Sequence, residues 1–149
     1  MDKERLIALL RDKNATLAVA ESCTGGLIAK TLTDVPGASA VFLGGVVSYT
    51  NEVKMRVLGV SADTIDSFGV VSAEVACEMA DGVRSLLKSD FSLSVTGYAG
   101  PGGDQVGLVF IGISYGDTVR SEKCIFEGSR DDIRRSACEH ALRMLIEVV

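Results

Sequence analysis

The stretch Ser72 to Gly97 reads SAEVACEMADGVRSLLKSDFSLSVTG. Behind Ser72 as a cap, with Glu74 in the first turn, the apolar residues Val75, Ala76, Met79, Ala80, Val83, Leu86 and Leu87 recur at the helical period. From Phe91 to Gly97 the period changes to two, that of a strand. A helix that passes into a strand across three polar residues is one unit of an α/β fold, and the rest of the chain repeats the alternation.

Upstream, Glu4 to Asp12 is helical, Thr16 to Ala20 is a buried strand, and Gly25 and Gly26 open a second helix that ends near Asp34. Val41 to Tyr49, VFLGGVVSY, is the next strand, its paired glycines marking a bend or the close approach of another backbone, and a helix starts near Glu52. Downstream, Gly107 to Tyr115 and Val119 to Phe126 form a hairpin about Gly116-Asp117. Ser129 caps the last helix, whose stripe is Ile133, Ala137, Ala141, Leu145 and Val149. The expected fold is α/β: a three-layer α/β/α sandwich around a mixed, mostly parallel five-stranded sheet with one antiparallel hairpin.

With 149 residues, one domain is expected, and a chain of this size buries roughly 70% of the surface it exposes unfolded. A net charge of -5 gives no electrostatic footprint for a phosphate backbone, which argues against nucleic acid as a partner. The opening MDKERLIALLRDK mixes charges into an apolar period and does not read as a signal peptide. The apolar runs are too short to span a bilayer, so no membrane association and a cytoplasmic location are expected. Cys23, Cys77, Cys124 and Cys138 have no CxxC spacing and there is one histidine, so the spacing suggests neither a zinc site nor a disulfide framework.

Ligands of open α/β sheets gather at the carboxyl ends of the strands, where ESCTGG, SYTNEVK, TGYAGPGGD and EGSRDDIRR fall. The glycines from Gly97 to Gly103 fit neither the dinucleotide fingerprint nor the P-loop. Ser22 leaves a strand for a helix opened by Thr24, Gly25 and Gly26, and two roles are open to it: helix cap, or nucleophile over helix-start amides that hold an oxyanion. Cys23 beside it is either a small core residue or a thiol nucleophile. A serine nucleophile needs a base, and His140 lies far along the chain.

Lys54 is the alternative base. With Asn51 as cap it falls at the third helical residue, where the dipole disfavours an ammonium, and burial would lower its pKa further; the competing reading is an exposed lysine. Tyr49 and Thr96, at strand ends, either orient this pair or simply pack. Arg130, Arg134 and Arg135 at the start of the last helix suit a phosphate, or form surface ion pairs with Asp131 and Asp132.

Taken together, AESCTGG, SYTNEVKMRVLGV, GVVSAEVACEMA, TGYAGPGG and GSRDDIRRSA resemble, over roughly Glu4 to Ile146, the CinA C-terminal domain family, which includes stand-alone nicotinamide-nucleotide amidases (PncC). The resemblance implies a three-layer sandwich and hydrolysis of the carboxamide of nicotinamide mononucleotide to nicotinate mononucleotide and ammonia, with no cofactor and no metal. It places the nucleophile on Ser22, the general base on Lys54, the supporting groups on Tyr49 and Thr96, and the helix-start arginine on Arg130. Thr24, Gly25, Gly26, Gly97, Gly100 and Arg134 complete the candidate substrate-binding set.

The implied partner is a small nucleotide substrate, with a homodimer as the expected assembly. Two departures stand out: GPGGDQVG lacks the usual Lys-Pro and is several residues shorter, and Tyr98 replaces an aliphatic residue. A shortened loop beside the pocket raises the alternative of a non-catalytic nucleotide-binding module.

Overall fold

The computed structural model describes residues 1–149. Its elements are α1 Asp2–Asp12, β1 Leu17–Glu21, α2 Leu27–Thr33, a 3-10 turn Ala38–Ala40, β2 Phe42–Val47, α3 Asn51–Leu58, α4 Ala62–Phe68, α5 Ala73–Leu87, β3 Phe91–Gly97, β4 Leu108–Tyr115, β5 Thr118–Ile125 and α6 Arg130–Ile146. The five strands form one sheet in the order β2-β1-β3-β4-β5. β1 pairs in parallel with β2 and β3, while β4 pairs antiparallel with β3 and β5, so only β4 runs against the other four strands. The mixed, mostly parallel sheet expected from the sequence is present.

Helices cover both faces. α1, α2 and α6 enclose the larger core around Leu17, Val19, Leu93, Val95, Val109, Ile111 and Ile113. On the other face α5 packs Val75, Met79 and Val83 against Ala18 and Ala20. The alternation of β3 takes its meaning here: Leu93 and Val95 enter the larger core, whereas Ser92 and Ser94 turn toward α5 and donate at 2.6 Å to the carbonyls of Ala80 and Ala76. Both faces of this central strand are therefore buried, and its polar face is satisfied by a helix backbone instead of by water.

Of the two alternatives for the glycines of β2, the close approach of another backbone is met at Gly45, just after an irregularity at Leu43. The register against β1 shifts between Leu17 and Ala18, a bulge opposite Leu43 and Gly44, and a Cβ on Gly45 would sit 2.6 Å from the Val19 carbonyl oxygen. Three local expectations need correction. The cap of α3 is Thr50, whose Oγ1 accepts from the Val53 amide at 3.3 Å, and not Asn51, so Lys54 is the fourth helical residue. α6 ends at Ile146, which leaves Val149 outside the helix although packed against the core. α4 is an additional helix that the apolar pattern did not show. No helix is long and apolar enough to cross a membrane.

Candidate active site

The site is built at the carboxyl ends of β1 and β3. These strands are in parallel register, with Glu21 opposite Val95, and the Ser22 amide extends the ladder by donating to the Val95 carbonyl at 3.0 Å. Ser22 therefore leaves the sheet on a fixed backbone. The chain then turns through Gly25 and Gly26, at φ 63° and 105°, into α2. Side-chain-bearing residues resist that conformation, and a Cβ on Gly25 would also meet Arg134 Nη2 at 2.9 Å.

α2 starts at Leu27 and not at Thr24, and two amides of its first turn are already taken. The buried Glu21 carboxylate accepts from Ile28 N at 2.9 Å and Ala29 N at 3.0 Å. An anion at a helix start offsets the dipole and satisfies otherwise orphaned donors. The helix-start amides expected to hold an oxyanion are thus occupied. No backbone carbonyl accepts from the amides of Cys23 and Thr24, next along the chain from Ser22.

Lys54 reaches this point from the first turns of α3. It is 1% exposed, and its Nζ lies 2.9 Å from Ser22 Oγ and donates at 2.7 Å to the Ser48 carbonyl. No carboxylate is among its partners, and burial holds its pKa below the ordinary lysine value. Ser48 is itself fixed on β1, since its amide and hydroxyl both donate to the Glu21 carbonyl, at 2.7 and 3.2 Å. Ser48 and Glu21 escaped the sequence reading. The signal for Glu21 was a carboxylate at the end of a strand whose other residues are all apolar.

Ser22 and Lys54 open into a cavity of about 300 Å³, which Tyr49, Asn51, Thr96, Gly97, Gly100 and Arg130 help to line. Thr96 makes no hydrogen bond to Ser22 or Lys54; its Oγ1 donates at 3.0 Å to the Val70 carbonyl and so anchors Val70 at the cavity wall. Tyr49, exposed at the mouth, accepts at 2.9 Å from Arg130 Nη2, and Arg130 Nη1 donates to the Gly100 carbonyl. Arg130 thereby ties the segment after β2 to the Gly100 loop.

That loop is a closed hairpin. Gly107 N donates to Tyr98 O at 2.7 Å and Tyr98 N to Leu108 O at 2.9 Å, which brings Tyr98 and Gly102 to the cavity. Among the four arginines of α6, only Arg130 lines it. Arg134 donates at 3.0 Å to the Thr24 carbonyl and braces the glycine turn, while Arg135 pairs with Asp131 and Asp132. Thr24, Gly25 and Gly26 shape that turn without lining the cavity. The Ser129 and Asp132 side chains close a capping box over the start of α6, at 3.1 and 3.0 Å.

Cys23 lines the cavity but is 6% exposed, and burial pushes its thiol up to about 11. All four cysteines are free thiols. His140 is not at the site; its Nε2 lies 2.8 Å from Glu122 Oε1.

The profile of the CinA C-terminal domain family matches residues 2–149. A competence-damage inducible protein of Caldanaerobacter subterraneus is 51% identical over 147 residues, 96% of this chain and 36% of the relative. A CinA-like protein of Leptospira borgpetersenii is 57% identical over 114 residues, 74% of this chain and 27% of the relative. The chain thus spans about a third of the length of these relatives. Among solved structures, the competence/damage inducible protein CihA of Agrobacterium tumefaciens superposes with a TM-score of 0.95 at 38% identity, covering 98% of this chain and 92% of that one.

Proposed function

This chain belongs to the CinA C-terminal domain family, and from that premise we propose that it is an amidohydrolase that converts nicotinamide mononucleotide to nicotinate mononucleotide and ammonia, with Ser22 as nucleophile and Lys54 as its base. The observation that carries this reading is the buried contact of 2.9 Å between Lys54 Nζ and Ser22 Oγ, with no carboxylate to hold the lysine charged. In the ammonium form Nζ donates across this contact; in the amine form the Ser22 hydroxyl donates to the nitrogen lone pair and is ready to lose its proton.

Ser22 Oγ attacks the carboxamide carbon as its proton passes to Lys54 Nζ. The carbonyl oxygen becomes an oxyanion, for which the Cys23 and Thr24 amides are the nearest donors along the chain not engaged by a backbone carbonyl. Lys54 then returns the proton to the departing nitrogen, the C–N bond breaks and ammonia leaves. Water, deprotonated by the same amine, hydrolyses the acyl-serine and regenerates the hydroxyl. Arg130 offers a guanidinium at the mouth to the nucleotide phosphate, at the start of a helix whose dipole favours an anion.

Incubation of the protein with nicotinamide mononucleotide, followed by assay of ammonia and nicotinate mononucleotide, tests the reading. Release that is lost in folded Ser22→Ala and Lys54→Ala variants supports it. Saturable binding of the nucleotide without release would instead favour the non-catalytic module, the reading to which the short Gly100–Gly107 hairpin points.

A further inference from the structure

We propose that Glu122, Cys124 and His140 form a binding site for a zinc-class divalent transition-metal ion, separate from the Ser22–Lys54 cavity, which none of the three lines. Glu122 and Cys124 are two residues apart on β5 and project from one face of the strand. That face is turned toward α6: Cys124 shares the larger core with Ile133, Ala137 and Ala141, and His140 comes from the same helix. A carboxylate oxygen, Sγ and an imidazole nitrogen of the trio all lie within 4.8 Å of one another. His140 Nε2 is already 2.8 Å from Glu122 Oε1, and its ring packs edge-on against Phe126, with centroids 5.9 Å apart. The sulfur approaches from the buried side, while the His140 and Glu122 side chains, 31% and 44% exposed, leave the other side open to solvent.

The donor set selects the ion. Calcium and magnesium take oxygen ligands, whereas one thiolate, one imidazole and one carboxylate suit a borderline-soft ion such as Zn²⁺ or Co²⁺, with water at the fourth tetrahedral position. Bonds of about 2.0–2.3 Å put tetrahedral donors roughly 3.3–3.7 Å apart, so the His140–Glu122 contact of 2.8 Å opens slightly while the gap to the sulfur closes by at most about 1 Å, a rotamer adjustment for two partly exposed side chains. Binding exchanges the Cys124 S–H proton, released to solvent, for a metal–sulfur bond. Bound there, the ion pins the edge strand β5 to α6. The sequence conceals the site because its ligands come from two elements without a CxxC or HxxxH spacing.

The test uses the full chain, reduced and stripped of metal by chelation, titrated with Co²⁺ under absorbance and with Zn²⁺ by calorimetry and thermal unfolding. We expect one Co²⁺ per chain, a near-ultraviolet thiolate-to-cobalt charge-transfer band that Zn²⁺ displaces, and a Tm raised by about 5–10 °C when zinc is about 100-fold above Kd. Cys124→Ser should abolish the band, and His140→Gln should weaken binding by about 100-fold or more, whereas Cys77→Ser should leave both unchanged. If Cys124→Ser does not fold, His140→Gln decides the matter, because its ring is partly exposed and its fold can be checked by circular dichroism. The proposal is overturned by the absence of a one-to-one complex, by a band that survives in folded Cys124→Ser, or by unchanged affinity in His140→Gln.

Discussion

Lys54 Nζ meets Ser22 Oγ at 2.9 Å deep in the protein, with a carbonyl and not a carboxylate as its other partner. Burial lowers the pKa of this amine, which makes activity and stability respond to pH in the same direction. If Lys54 is the base it must be neutral, so kcat/KM should rise with pH to a plateau whose midpoint lies below the ordinary lysine value of about 10.4. The unfolded chain holds the Lys54 proton more tightly than the folded one. Below the folded pKa both states carry it and the desolvation cost is felt in full. Between the folded and unfolded pKa values the unfolded state binds more protons, and stability rises with pH. Urea unfolding at neutral pH and near about pH 10 should show wild type gaining stability relative to Lys54→Met; an unchanged difference would contradict a lowered pKa.

If Ser22 and Lys54 act as one nucleophile–base unit, Ser22→Ala and Lys54→Ala should each lower kcat by roughly 10⁴-fold or more, and the double variant should be little worse than either single one. Steady-state kinetics on the three proteins checks this. Additive losses would mean that Lys54 acts on something other than Ser22.

Glu21 is the structural counterpart of Ser22. Glu21→Ala leaves the Ile28 and Ala29 amides without their acceptor and should destabilise the protein by about 2 kcal/mol, while Glu21→Gln, which keeps one acceptor oxygen, should cost about half as much. Chemical denaturation of the two variants measures the gap. Equal losses would locate the stabilisation in the charge of Glu21 and not in its hydrogen bonds.

How far these features could be read from the sequence depended on how local their causes are. α5 and β3 announce themselves because their periods belong to their own residues, and Ser22 and Lys54 stand out as reactive types at strand and helix junctions. α4 has no buried residue and hence no apolar stripe. It is held by Ile65, half-buried against the smaller core, and by Glu78 of α5, which accepts from Ser61 N at 2.7 Å and Thr64 Oγ1 at 2.6 Å. The role of Ser48 is likewise carried by main-chain contacts to Glu21, across 27 positions, and to Lys54. The start of α2 is placed too early by the sequence for a related reason: the capping of α2 by Glu21 depends on the path of the intervening turn.

Cys23 provides a chemical control on the choice of nucleophile. With its thiol at about 11, only about one molecule in 10⁴ carries a thiolate at pH 7. Iodoacetamide should therefore modify it slowly at neutral pH, and Cys23→Ala should keep most of the activity. Mass spectrometry of the alkylated protein alongside the amidase assay checks both; rapid labelling of Cys23 that also abolishes turnover would reinstate the thiol.

Arg130 is an exposed guanidinium tied to Tyr49 and Gly100 rather than to either neighbouring aspartate, so its charge remains available at the cavity mouth. If it binds the phosphate, Arg130→Ala should raise KM about 10- to 100-fold while kcat changes little, since a contact made equally to substrate and transition state is uniform binding. Arg130→Lys should recover only part of this, because an ammonium cannot match the fork of a guanidinium. Tyr49→Phe, which removes one partner of Arg130, should give a smaller rise in the same constant. Nicotinamide riboside, which lacks the phosphate, separates the possibilities: its KM should be insensitive to Arg130→Ala, and an equal effect on both substrates would show that Arg130 acts by holding the Gly100 hairpin in place.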